Sequence, residues 1–449
     1  MPLITYKSRM EKIFSLNQNP TIKVVFLASM AVYIAVFMFG VSPMSLFVFT
    51  LAGIAVFAAL VNPFIGLCIL SLSIFKLDIP GSLTKYALSS EIMLFLSRYS
   101  LFLGLIIVFG LIAQKILRRA RILPKNDYIL PLGIVFFIIM IISGINSGLN
   151  SRNIELFRVF IQVLALYFLI NVVIDSPRRL KQFTWFIIAF GTFLSVILLL
   201  KYFSAEETIF PGGTRSTYIA MGLSLGLLIT TKSRALKYLF MSLFLINLYV
   251  VILCAQRRPL VMLIVILIGY LMKRKISFRS FLLVAGATYI MSLIMPVIPE
   301  QTITRYAEVF QSDFTGSGRT FIWASALEVI KYNTLIGIGP GNLVPTIYRG
   351  AHNLYLGTLA EVGIFGFIVL ILIINVAIFH FIKCRSNIKK CEDSLLLNLA
   401  DAWEMSFYGW LAVSFFTATL PVSYVLWEMI GISMALKTIT SHYKKATKK

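Results

Sequence analysis

The chain has 449 residues, 59% of them hydrophobic, and a formal net charge of +23 at pH 7. Apolar stretches long enough to cross about 30 Å of hydrocarbon recur from end to end, the pattern of a polytopic membrane protein. It is expected to be all-helical, because a bilayer cannot hydrate open backbone. The excess positive charge reads as a topology and anionic-lipid signal, and nucleic acid is set aside as a partner.

In chain order, the apolar runs predict spans near 22–40, 43–61, 63–77, 92–114, 128–147, 155–174, 182–203, 214–231, 238–255, 259–272, 280–297, 353–382, 403–420 and 422–437. That makes about 12–14 transmembrane helices in one transmembrane domain, residues 1–449. Lysine and arginine mark cytoplasmic loops. With the N-terminus inside, Lys115 to Lys125, Arg178 to Lys181, Lys232 to Lys237, Lys273 to Arg279, Lys383 to Lys390 and the lysines from Lys437 onward all fall on one face. Both termini are therefore expected in the cytoplasm. The first apolar run follows a polar-mixed stretch and lacks a small-residue cleavage site, so the first helix is expected to be retained. Cys68 and Cys254 fall in spans, and Cys384 and Cys391 in a basic inner loop, giving neither a disulfide framework nor a zinc pattern.

Acidic residues are scarce. Between Asp175 and Glu300 only Glu206 and Glu207 occur, both in one outer loop. Ion-coupled carriers place ionisable groups inside their spans, and a divalent site with oxygen ligands needs clustered carboxylates. The sequence thus favours metal-independent chemistry with no cofactor.

Against this pattern, the turn Gln256-Arg257-Arg258-Pro259 puts two arginines on the outer side. A guanidinium partly withdrawn from water calls for an anion, and phosphate satisfies it with paired, charge-assisted hydrogen bonds. The alternative is that both side chains snorkel to lipid headgroups. A second outer cation, Arg215, sits in Pro211-Gly212-Gly213-Thr214-Arg215, where a glycine pair opens a helix. Helix N-termini attract anions, although a plain helix start capped by Thr214 reads equally well.

Residues 298–352 form the one substantial outer segment. Within it Ile322, Trp323, Ala326, Leu327, Val329 and Ile330 recur at helical spacing, predicting an amphipathic helix on the membrane or across a cavity mouth. Gly337-Ile338-Gly339-Pro340-Gly341-Asn342 predicts a compact turn. Arg349, His352 and Asn353 follow. Of three histidines, His380 falls near the inner end of its span and His442 in the basic tail, leaving His352 alone beside the outer arginines. Imidazole titrates near neutrality and can take a proton from a hydroxyl; the other reading of a histidine at a helix start is a cap.

Arg319-Thr-Phe-Ile-Trp323, Gly337 to Asn342 and His352-Asn-x-x-Leu-x-x-Leu-Ala-Glu361-x-Gly363-x-x-Gly366 together resemble the bacterial O-antigen ligase and O-antigen polymerase superfamily. The Gln256–Pro259 and Gly213–Arg215 turns are similar to that family's outer arginine sites, and the resemblance covers about half the chain. It implies a membrane-embedded, predominantly helical (GT-C-like) glycosyltransferase in the bacterial inner membrane, with its active site on the outer face. Such an enzyme takes a glycan carried on undecaprenyl pyrophosphate and transfers it, with inversion, to a hydroxyl of an acceptor glycan or of a lipid A core. Membrane lipids and a chain-length regulator protein are the further partners implied.

Carried onto this chain, the resemblance makes His352 the base and has Arg215 and either Arg257 or Arg258 hold the pyrophosphate; Asn353 is expected at the substrate, and Arg319 and Arg349 either line the glycan path or only solubilise the loop. The family's turn commonly has one arginine before a small residue, whereas this chain has two before Pro259, so which of them meets phosphate stays open. Glu361, Gly363 and Gly366 read as structural. Polymerase is slightly favoured over ligase, because no feature of the chain points to a lipopolysaccharide acceptor. A reading of another class is a lipid-linked glycan transporter.

Overall fold

The computed structural model describes residues 62–75, 108, 127–204, 215–253, 257–273, 286, 319–348, 350–390, 393–416 and 422–446. The described residues are helical and contain no strand. Their helices are α1 (Pro63–Phe75), α2 (Ile129–Asn146), α3 (Ser151–Val173), α4 (Pro177–Ser204), α5 (Arg215–Thr230), α6 (Arg234–Leu253), α7 (Arg257–Met272), α8 (Arg319–Tyr332), α9 (Leu343–Ile347), α10 (Leu354–Lys390), α11 (Ser394–Val413) and α12 (Tyr424–Ala446). Five (α2, α3, α4, α6 and α10) are long and apolar enough to cross a membrane, and Arg258–Met272 is a shorter apolar helix. The chain is an all-α polytopic membrane protein. The expected spans 22–40, 43–61, 92–114 and 280–297 lie essentially outside the described residues.

Short connections make successive helices antiparallel and give the bundle two ends. One carries the α2–α3, α6–α7 and α11–α12 connections. The other carries α3–α4, α5–α6 and α10–α11, with their flanking Arg178, Arg179, Lys232 and Lys383. Small residues let the helices that carry the arginine turns approach closely. A Cβ at Gly226 of α5 would lie 2.9 Å from Ala402 of α11, one at Gly222 would lie 2.9 Å from Ser406, and one at Gly409 of α11 would lie 2.7 Å from Met262 of α7. Between α3 and α12 the core is aromatic, with Trp427 edge-on to Phe160 and Tyr167 at ring-centroid distances of 5.4 and 6.1 Å.

Three readings change. The span expected at 403–420 is Ser394–Val413, displaced toward the N-terminus. Asp401 and Glu404 interrupt its hydropathy, yet both are buried because cations meet them. Lys273 at the end of α7 lies 2.5 Å from Glu404 and 3.5 Å from Asp401, while Arg385 of α10 lies 3.1 Å from Asp401. The span expected at 353–382 is two helical pieces, 354–362 and 364–390, broken at Gly363 (φ 77°, ψ −175°). In the amphipathic segment, Ile322, Ala326 and Ile330 face inward as expected, but Leu327 is exposed.

Candidate active site

The described part of the segment predicted from sequence to lie outside, from Arg319 onward, folds back onto α10 at its break. Ile338 and Gly339 N–H donate to the carbonyls of Ala360 and Glu361, each at 3.0 Å, and Ile364 N–H donates to Thr334 O at 2.8 Å. Two backbones therefore cross at van der Waals distance. Gly337 (φ 78°) and Gly363 sit at the crossing, where a Cβ would come within 2.5 Å of the Glu361 backbone or 2.2 Å of Leu335 O. Only glycine meets both the left-handed angle and the lack of space.

Glu361, fully buried, fastens the rest of the turn. Its carboxylate accepts N–H bonds from Gly341 (2.9 Å) and Leu343 (3.2 Å), and its own carbonyl accepts the Ser143 hydroxyl at 2.7 Å. The structural reading of Glu361 and Gly363 thus has direct contacts behind it. Sequence reasoning missed the other half of this lock. Asn150 caps α3 and donates to Asn342 Oδ1 at 2.8 Å, Asn342 donates to Ser147 Oγ at 3.1 Å, and Asn153 donates to Pro340 O at 2.5 Å. The available signal was the polar run Ser143-Gly-Ile-Asn-Ser-Gly-Leu-Asn-Ser151, dense in small hydrogen-bonding residues at the end of an apolar helix.

This lock presents His352. Trp323 Nε1 of α8 donates to Ala351 O at 3.0 Å, and Leu354 N–H donates to Ser414 O at 2.9 Å, tying the start of α10 to the end of α11. Asn353 is buried, and its Oδ1 accepts the N–H groups of Tyr355 and Leu356 at 3.0 and 3.1 Å. Of the residues expected at the substrate, Asn353 is therefore the one whose described contacts form a helix cap. Between these anchors His352 is exposed and takes φ 46°, a left-handed angle uncommon outside glycine. Such backbone costs roughly 1–2 kcal/mol and persists only where its surroundings determine it.

The helix starts that bear Arg215 and Arg258 lie at the same end. Arg258, the second residue of α7, lies within electrostatic reach of Tyr218 and Arg215 of α5, so two cations far apart in sequence come to the same end of the bundle. Both are half-buried. Among the described residues no carboxylate forms an ion pair with Arg258. The antiparallel register set by Gly226 with Ala402 and Gly409 with Met262, continued along the helices, brings Arg215 and Arg258 level with Val413 and Ser414. Ser414 is the residue that holds the start of α10, so the arginines and His352 flank the same helix end. The side chains of Arg257 and Arg319 and the whole of Arg349 lie outside the described residues.

In chemical terms, one end of the bundle gathers guanidinium groups fit for a multiply charged anion and an exposed imidazole fit to accept a proton. Among the described residues no group of three or more His, Cys, Asp or Glu converges. Residues 219–371 match the family model described as O-antigen ligase (Wzy_C). That stretch contains Arg257, Arg258, α8, His352 and Glu361, and starts four residues after Arg215. No curated protein matches the chain.

Proposed function

We propose that this chain, which belongs to the O-antigen ligase and polymerase superfamily, is a metal-independent inverting glycosyltransferase. It moves a glycan from undecaprenyl pyrophosphate to an acceptor sugar hydroxyl at the outer face of the bacterial inner membrane. The observation that carries the reading is an exposed, conformationally constrained His352 at the bundle end to which helix register also brings Arg215 and Arg258.

In this reading the acceptor hydroxyl attacks the anomeric carbon from the face opposite the leaving group. A new C–O bond forms as the bond from that carbon to the phosphate oxygen breaks, which inverts the centre. The hydroxyl proton goes to His352, and the pyrophosphate leaves with the bonding electrons. Charge grows on that leaving group, where cations fixed in advance and partly withdrawn from water stabilise it most. Arg215 and Arg258 bring like charge to one end of the bundle, so a dianionic ligand held between them is favoured electrostatically and gains charge-assisted hydrogen bonds. Arg258 is assigned to the pyrophosphate with Arg215. Arg257, Arg319 and Arg349 are proposed along the glycan path, and Asn353 acts by fixing the start of α10. The acceptor is a second lipid-linked glycan, as in a polymerase, in preference to a lipid A core.

The test is purified protein with a lipid-linked repeat unit, first alone and then with lipid A core. A ladder of products from the donor alone supports polymerisation, and a single product on the core identifies a ligase. Transfer that survives in a folded His352→Ala variant overturns the catalytic assignment and leaves binding or transport as the role of the cationic end.

A further inference from the structure

We propose that the exposed face of α10 is a dimer interface between two copies of this chain, with Asn375 setting its register. Beyond the break at Gly363, α10 buries Val369, Leu370, Ile373, Ile374 and Phe381 within the bundle. Its opposite face exposes Phe365, Ile368, Leu372, Asn375, Phe379 and Ile382. These positions advance in alternating steps of three and four residues, the spacing of a left-handed helix–helix seam.

Asn375 distinguishes this stripe from an ordinary lipid-facing one. The neighbouring helix α2 exposes Ile134, Val135, Ile138, Ile142 and Ile145, an aliphatic face whose one exposed amide, Asn146, is the last residue of the helix. On α10 the amide sits near the middle of the apolar stretch, at the depth where hydrocarbon offers no hydrogen bonds. Among the described residues nothing hydrogen-bonds to it. Elsewhere this bundle shows what a mid-span amide does when it has neighbours. Asn247 of α6 donates to Thr192 of α4 at 2.8 Å and accepts from Ser195 at the same distance.

The second copy is the occupant that the amide's chemistry selects. A carboxamide carries both donors and acceptors, so it pairs with an identical group. Two copies in one membrane share an orientation, and a two-fold axis along the membrane normal sets their α10 helices parallel with Asn375 opposite Asn375. A single amide at a heptad position is a known way to fix register and oligomeric state. Interhelical hydrogen bonds in membranes are modest, and a symmetric pair of them corresponds to about a tenfold change in association.

The test uses the full chain reconstituted in lipid vesicles at low density, with single-molecule photobleaching to count copies. Wild type is expected as dimers, and Asn375→Leu, which suits a lipid-exposed position, to weaken dimerisation about tenfold. In a background lacking Cys68, Cys254, Cys384 and Cys391, cysteine at Ile368 or Ile382 is expected to cross-link two copies, and cysteine at Ile138 of α2 is not. Monomers at every density, an unchanged dimer in Asn375→Leu, or cross-linking at Ile138 equal to that at Ile368 would each overturn the interface. A lipid or another segment of the same chain covering the face gives the monomer outcome.

Discussion

The two ends of the bundle treat positive charge differently. At the end bearing the α10–α11 connection, Lys273 and Arg385 are mostly buried and meet Asp401 and Glu404, whose side chains are 0% and 4% exposed. There the cations serve the fold, holding α7, α10 and α11 together, and each buried charge has its counter-charge built in. At the opposite end lie Arg258 and Arg215, within electrostatic reach of one another, and no described carboxylate ion-pairs with Arg258. Burying charge is costly unless it is paired. The first end therefore meets the cost within the chain, and at the second no described carboxylate meets it for Arg258, which suits an anionic ligand.

If that division holds, variants at the two ends fail in different ways. The largest effect is expected for His352→Ala, which should lower glycan transfer by about 10²–10⁴-fold, the usual contribution of a general base, with thermal unfolding unchanged. Lys273→Met strands the buried Glu404, leaves Asp401 with Arg385 alone, and should cost about 3–5 kcal/mol of stability. Thermal unfolding in detergent reads that loss, and transfer per folded molecule should stay at the wild-type level. Arg258→Ala should cut kcat/KM for the lipid-linked donor by roughly tenfold to a hundredfold, the loss of one or two charge-assisted hydrogen bonds. Here the fold should be intact and Arg258→Lys intermediate. The smallest effect sharpens the account of the turn. Gly148→Ala meets open space and should cost only its left-handed backbone, about 1 kcal/mol. Gly337→Ala, forced against the Glu361 backbone, should cost more; equal losses would show that the crossing at Gly363 is not a tight one.

Much of this was legible in the sequence because hydropathy and charge are local signals. The ends of α2, α5 and α7 fall within about two residues of the reading, and the amphipathic α8 and the glycine turn are where spacing put them. The bounds of α11 were misplaced because a charge inside a helix stops a hydropathy reading, while a partner distant in sequence lets the helix continue. Asp401 hid the first half of α11, and its partner Lys273 lies well over a hundred residues away. Glu361 and Gly363 belonged to a recognisable string, but the break in α10 depends on Leu335 crossing beneath it, a contact no periodicity encodes. Arg215 and Arg258 were each visible as misplaced cations. Their meeting depended on how closely α5, α7 and α11 pack through Gly222, Gly226 and Gly409.

The claim that imidazole and guanidinium groups share one site is tested most directly by labelling from outside intact cells with a membrane-impermeant thiol reagent. The chain would lack its four native cysteines and carry a single cysteine at position 258 or at position 352. The account predicts that both positions label from outside and that a lipid-linked pyrophosphate glycan protects both. Labelling of the two from opposite faces, or protection of one without the other, would contradict it.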